Sequence, residues 1–268
     1  MATNFNSYPH LKHQHPHWTQ SNSGAIILPM KLIVLAAGKS TRFMPLTEHT
    51  PKPLIIVEGK PLVEYTLDLC APHVEEIIFV INDSLGYKIK EYFGNFYKDI
   101  PVSYTTQNMN SLRGTLGAVL SALPYLENED RFAICNCDDL YKKEDVGNAF
   151  LSKECGMGLT ISKMPFQYYG VDVKDAFIQG FRRHEKTDEL VEDKFVNGFY
   201  ILNKEIFSFT PVGLSDGEFG LPQTLFANLD KLPLKEFAFS EWVAVNSPEN
   251  IPAAVDFIQK NYTNSPNP

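Results

Sequence analysis

The sequence lacks any apolar run long enough to cross a membrane. Its best candidate, Ala25 to Ala37, is broken by Pro29 and Lys31 and falls short of the roughly 20 residues a spanning helix needs. A secretory cleavage near Ala36 and Ala37 would remove the strand on which the following loop depends, so that reading is rejected. Excess positive charge is missing too. The 24 Lys and Arg stand against 32 Asp and Glu, a formal net charge of −8, the wrong balance for a general nucleic-acid binder. Cysteine is scarce: Cys70, Cys135, Cys137 and Cys155 make no pair of CxxC motifs, and nothing in the chain calls for a secreted disulfide framework. Cys135 and Cys137 share one face of a strand and read as reduced core thiols. Internal repeats and coiled-coil heptads are also absent. The expectation is a cytoplasmic globular protein with no membrane or nucleic-acid partner, and homo-oligomers are left open.

Two common phosphate loops are missing as well, although one stretch resembles both. Lys31 to Leu54, KLIVLAAGKSTRFMPLTEHTPKPL, opens with an apolar run of buried-strand type and then breaks at Ala36, Ala37 and Gly38. A Walker loop needs a glycine where Ile33 stands, and a dinucleotide fingerprint needs glycines at Ser40 and Phe43. What is present is a set of small residues that lets a ligand reach the backbone, followed by Lys39, Ser40, Thr41 and Arg42 as donors and cations. Pro51 and Pro53 then restrict the backbone on either side of a second cation, Lys52. The chemistry is that of an anion cradle. An ordinary strand-to-helix turn carrying surface cations accounts for the spacing alone.

With 268 residues, 44% of them hydrophobic, the chain has room for a substantial core. Residues 1–29 carry His10, His13, His15 and His17 in a polar setting and read as a disordered leader; 263–268 read as a frayed tail. Between them, 30–262 is expected to be one domain. Its first half, about 30–155, alternates strand and helix signals, which favours an α/β, Rossmann-like mixed and mostly parallel sheet flanked by helices. Helices are expected over Pro61 and the residues after it, Leu85–Tyr97, Thr115–Leu126, Glu218–Leu229 and Pro248–Asn261. The second half, 156–262, is β-rich and expected to form a lid or acceptor wall.

Asp138 and Asp139 follow the apolar strand FAICNC at its carboxyl end, where open α/β sheets bind their ligands. Magnesium takes one or two carboxylates and completes its shell with water and phosphate, so one of these aspartates would suffice; a helix cap or a solvated turn is the plainer alternative.

LAAGKSTRF followed by PLTEHTPKPLIIVEGKPLVEY resembles the opening of the sugar-1-phosphate nucleotidyltransferases, the group that includes glucose-1-phosphate thymidylyltransferase and N-acetylglucosamine-1-phosphate uridylyltransferase. The resemblance runs along nearly the whole chain from Met30 and implies a GT-A-like nucleotidyltransferase fold with a β-rich acceptor half. It implies that Gly38, Ser40, Thr41 and Arg42 hold a triphosphate, that Leu35, Ala36 and Ala37 line the nucleotide, and that Lys52 bridges phosphates at the reacting centre. Ser40 replaces the usual second glycine. QNMNSLRGTLGAV is similar to the base-binding segment and implies contacts from Gln107, Gly114 and Thr115, with two extra residues between Gln107 and Gly114. ICNCDDL implies Asp138 as a metal ligand, with Cys137 at the usual glycine position. YYGVDVKDAFIQGFRRHEK implies acceptor contacts from Gly170, Glu185 and Lys186, with Thr187 in place of the customary proline. FVNGFYIL lacks one residue of the pattern and implies Asn197. WVAVNSPEN resembles the uridylyltransferases that use an asparagine as second metal ligand, which here is Asn246.

The resemblance implies a magnesium-dependent enzyme that joins an NTP to a sugar-1-phosphate by single displacement, giving an NDP-sugar and pyrophosphate. Such an acceptor is largely dianionic at neutral pH and needs no general base; Arg42, Lys52 and Asp138 are the catalytic candidates. Alternatives are a cytidylyltransferase for a non-sugar phosphate such as phosphocholine, a nucleotide-binding regulatory subunit of the same fold, and a glycosyltransferase using Asp138-Asp139.

Overall fold

Side chains alternate along the first strand, and both faces are buried: Leu32, Val34 and Ala36 on one side, Ile33 on the other. Such a strand must be covered by helices on both sides. The computed structural model of the chain describes residues 28–108, 113–165, 168–215 and 217–262. The leader expected over 1–29 therefore lies outside the described residues except for Leu28 and Pro29, and the tail over 263–268 lies outside them entirely.

The strands are β1 (Met30–Ala36), β2 (Ile56–Val57), β3 (Lys60–Pro61), β4 (Val74–Ile81), β5 (Phe96–Tyr97), β6 (Ile100–Thr106) and β7 (Arg131–Asn136). They continue with β8 (Asp139–Tyr141), β9 (Gly156–Met164), β10 (Gly170–Lys174), β11 (Phe177–Arg182), β12 (Val191–Asn203), β13 (Lys235–Ala238) and β14 (Trp242–Ala244). The helices are α1 (Leu62–Cys70), α2 (Gly86–Phe93), α3 (Thr115–Ser121), α4 (Lys143–Leu151), α5 (Leu221–Phe226) and α6 (Ile251–Asn261).

One ten-stranded sheet runs in the order β10-β11-β13-β9-β12-β7-β1-β4-β6-β5. The strands β7, β1, β4 and β6 are mutually parallel, whereas β12 pairs antiparallel with both β7 and β9. The β-rich half is thus a continuation of the same sheet through β12. The chain leaves β1 toward β4 and β6 and returns to its other side at β7, so a topological switch point, the usual ligand crevice of such sheets, opens between the carboxyl ends of β1 and β7.

Helices α1, α2 and α4 cover the face carrying Leu32, Val34 and Cys135; α3 and α5 cover the face carrying Ile33, Ile78 and Ile134. A third cluster joins Phe43, Leu62, Tyr65, Leu140 and Val245 to Ala254, Phe257 and Ile258 of α6. The four cysteines are buried and free. Several helices are shorter than expected. The pattern over Leu85–Tyr97 ends as helix at Phe93, because Gly94 turns to φ +60°, and its last residues become β5. Thr115–Leu126 stops as α-helix at Ser121 before a tighter turn over Leu123–Tyr125. Among the described residues no helix is long and apolar enough to cross a membrane.

Candidate active site

The loop expected to cradle an anion begins where β1 ends. Ser40 takes a left-handed conformation, φ +52°, and the chain then makes a tight turn over Thr41–Phe43. That turn is anchored from below, since the Phe43 ring is fully buried in the third cluster, a burial contributing about 1.5–3 kcal/mol. Thr47 Oγ1 donates to Ser40 O at 2.9 Å and ties the returning chain to the turn. Arg42 is held at the rim, exposed, with Nη2 donating to Asn246 Oδ1 at 3.4 Å.

Lys52 starts a second tight turn, Lys52–Leu54, after the extended Pro51. Its side chain is nearly buried, its ammonium lies 5.1 Å from the Phe43 ring centroid, and it pairs with Asp138 Oδ2. The cation between the prolines and the acidic strand end thus meet in one place.

Asp138 and Asp139 point in different directions. Asp138 lines the crevice, whereas Asp139 is buried and receives Trp242 Nε1 at 2.8 Å and Asn136 Nδ2 at 2.7 Å. Burial, reinforced by the neighbouring Asp138 carboxylate, pushes the Asp139 carboxyl up to about 8 despite those donors. Of the pair, it is Asp138 that faces the crevice. Directly after it, β8 pairs antiparallel with β14, Asp139 opposite Ala244, and Val245 N donates to Asp138 O at 2.9 Å. This small ribbon carries Asn246 to the same crevice from 108 positions away in the chain, 246 minus 138.

At the other end, Gln107 N donates to Ile81 O and Gln107 Nε2 to Gly114 O, both at 2.9 Å. Gly114 has φ +89°, and a Cβ there would lie 2.5 Å from Phe219 O. Only glycine fits. Glu218 and Phe219 lie against this turn, with Phe219 N donating to Arg113 O at 2.8 Å and Leu221 N to Thr115 Oγ1 at 2.9 Å.

These parts enclose a cavity of about 450 Å3. Leu35, Ala36, Ala37, Gly38, Ser40, Thr41, Arg42, Lys52, Gln107, Gly114, Thr115, Asp138 and Asn246 all line it. The acceptor candidates are not among its lining. Gly170 opens β10 against Asp193 and His184, and Asp193 is bound by Arg182 Nη2 at 2.5 Å and faces His184 Nε2 at 3.4 Å. Glu185 and Lys186 lie just beyond, exposed. Asn197 is fully buried: its Nδ2 donates to Thr160 Oγ1 at 3.1 Å, and its Oδ1 accepts from Phe199 N at 3.2 Å. It braces the irregular stretch of β12 between Val196 and Tyr200.

Sequence reasoning passed over Asn82, Ser84, Arg113 and Glu218, which also line the cavity. An available signal for the first was the Asn-Asp-Ser run at a strand end before a helix, a capping pattern. Glu218 gave none, because its place depends on contacts made across the fold.

Residues 31–218 match the family model described as nucleotidyl transferase. The bifunctional protein GlmU of Methanococcus maripaludis is 31% identical over 180 residues, 66% of this chain and 41% of that protein. UTP--glucose-1-phosphate uridylyltransferase of Synechocystis is 30% identical over 237 residues, 81% of this chain and 60% of that one. A 2-aminoethylphosphonate cytidylyltransferase of Lancefieldella rimae is 33% identical over 132 residues, 48% of this chain and 51% of that one. The chain thus spans about two-fifths to three-fifths of the length of these relatives. The solved UDP-glucose pyrophosphorylase of Acinetobacter baumannii superimposes with a TM-score of 0.73 at 19% identity, covering 88% of this chain and 95% of that one, which shows the shared fold.

Proposed function

This chain belongs to the nucleotidyl transferase family, and on that footing we propose that it joins a nucleoside triphosphate to a sugar-1-phosphate, releasing pyrophosphate and an NDP-sugar, in the cytoplasm. The observation that carries this reading is the convergence of Arg42, Lys52 and Asp138 on one cavity at the switch point of the sheet. Two distant segments supply them: the stretch after β1 brings the cations Arg42 and Lys52, and the end of β7 brings the carboxylate Asp138.

The chemistry follows from repulsion. A dianionic acceptor phosphate must approach an anionic α-phosphate, and negative charge builds up on the transferring phosphorus and the departing pyrophosphate. Arg42 at the rim and Lys52 in the floor are fixed donors aimed at that charge, and part of their strength comes from shielding against water around Lys52. Gly38, Ser40 and Thr41 would hold the triphosphate, while Gln107, Gly114 and Thr115 would hold the base. Gly170, Glu185 and Lys186 would contact the acceptor from the β-rich half.

Among the described residues no three His, Cys, Asp or Glu side chains converge. Asp138 and Asn246 offer one carboxylate and one amide oxygen, hard donors that fit a magnesium ion completing its shell with water and substrate phosphate. When bound there, the ion supplies charge neutralisation to the phosphates. A panel of nucleoside triphosphates against sugar-1-phosphates, with and without magnesium and scored by pyrophosphate release, tests the reading. No release with any sugar phosphate contradicts it.

A second acceptor class is favoured by one observation: the 33% identity to a protein named as a cytidylyltransferase for an aminoalkyl phosphonate. Phosphocholine and 2-aminoethylphosphonate therefore belong in the panel with CTP.

A further inference from the structure

We propose that Asn82 is a positioning residue for the triphosphate, acting through the peptide groups of the phosphate loop; this rests on the reading of the cavity as a nucleotide site. Asn82 follows β4, the strand beside β1, and lines the cavity rim. Its Nδ2 donates to two consecutive carbonyls of the loop, Ala37 O at 3.3 Å and Gly38 O at 3.4 Å. Its Oδ1 accepts from Ser84 N at 3.1 Å, Ser84 Oγ at 2.9 Å and Leu85 N at 2.9 Å. One amide therefore joins the loop to the chain entering α2.

The consequence follows from peptide planarity. In a trans peptide the N–H points opposite to the C=O, so holding the Ala37 and Gly38 carbonyls on the Asn82 side turns the N–H groups of Gly38 and Lys39 the other way. Consecutive backbone N–H groups with a common direction form an anion-binding nest. Within the loop Ser40 Oγ also reaches Gly38 O, at 3.5 Å; the Asn82 amide adds a restraint from outside the loop that takes in the Ala37 carbonyl as well. The donor half of the amide is assigned to the loop and the acceptor half to the entry of α2.

Two substitutions separate the halves. Asn82→Asp keeps the acceptor for Ser84 and Leu85 but has no donor for the carbonyls; Asn82→Ala removes both and adds no charge. The probes are a nucleoside triphosphate and inorganic pyrophosphate, with binding read by calorimetry and folding by thermal melting. The expected result is that both variants bind the triphosphate at least about tenfold more weakly. Asn82→Asp should melt close to the wild-type temperature, and in turnover the loss should appear in the KM for the nucleotide, with the acceptor KM unchanged. Weakening in Asn82→Asp alone would assign the effect to direct charge repulsion and overturn the proposal. Weakening in Asn82→Ala alone would assign it to the α2 entry and overturn it equally. A wild-type protein that binds no triphosphate overturns the nucleotide reading of the cavity and this proposal with it, whereas wild-type binding matched by both variants overturns only the proposal.

Discussion

Lys52 and Asp138, 86 positions apart in the chain, form an ion pair at the floor of the cavity, with side chains 7% and 18% exposed. Removing one partner leaves the other charge mostly buried and alone. Lys52→Met and Asp138→Asn should each lower turnover by about 100-fold to 1000-fold. Lys52→Met should also cost about 3 kcal/mol of stability, because it leaves the Asp138 carboxylate largely desolvated without its partner. Denaturant titration beside steady-state kinetics checks both numbers; unchanged turnover in the two variants would remove these residues from the reaction.

Ser40 holds a left-handed conformation at the position where the resembling family has glycine. An L-residue there is strained by about 1–2 kcal/mol, part of which glycine gives back through its greater freedom in the unfolded chain. Ser40→Gly should therefore stabilise the protein by about 0.5 kcal/mol, and Ser40→Val, which is β-branched, should destabilise it and raise the nucleotide KM. A stabilising Val variant would contradict the geometry.

Asn197 separates a binding role from a bracing one. Its side chain is satisfied inside the β-rich half, so Asn197→Ala should cost about 1–3 kcal/mol by leaving the Phe199 amide without its acceptor. The acceptor KM should stay unchanged in the folded fraction. A raised acceptor KM with an unchanged melting temperature would return Asn197 to the acceptor site.

The strand and the turn after it were legible in sequence because their signals are local: a β-branched run that stops, small residues, then cations. Asp138 was legible for a similar reason, as an acidic residue at a strand end. The helices over Leu85–Tyr97 and Thr115–Leu126 were overextended because apolar spacing continues past the points where Gly94 and the Leu123–Tyr125 turn end them. The β8–β14 ribbon was only partly readable, since three-residue strands carry little periodicity. Glu218 and the support behind Gly114 were not readable at all. Both depend on Phe219 meeting a turn more than 100 positions earlier in the chain, and nothing local records that contact.

His73 gives stability a pH dependence away from the active site. Its ring stacks on Phe150, centroids 4.6 Å apart, and burial holds its imidazole below the ordinary value of 6.5. The unfolded chain therefore takes up this proton at a higher pH than the fold does. Stability present above 6.5 is lost as the pH falls below it toward the depressed folded value. Melting temperatures at about pH 7.5 and about pH 5.5 should differ less in His73→Phe, which keeps the stacked ring, than in the wild type. Equal differences would remove His73 from the effect.

The most direct measurement is pyrophosphate release by the purified protein with magnesium, a nucleoside triphosphate and a sugar-1-phosphate, with the nucleotide product weighed by mass spectrometry. Pyrophosphate should appear only when both substrates are present, in equal amount to a product carrying the acceptor phosphate and the nucleoside monophosphate unit, and Asp138→Asn should abolish most of it. Tight triphosphate binding with no pyrophosphate from any acceptor would contradict the account and leave a nucleotide-binding protein in its place.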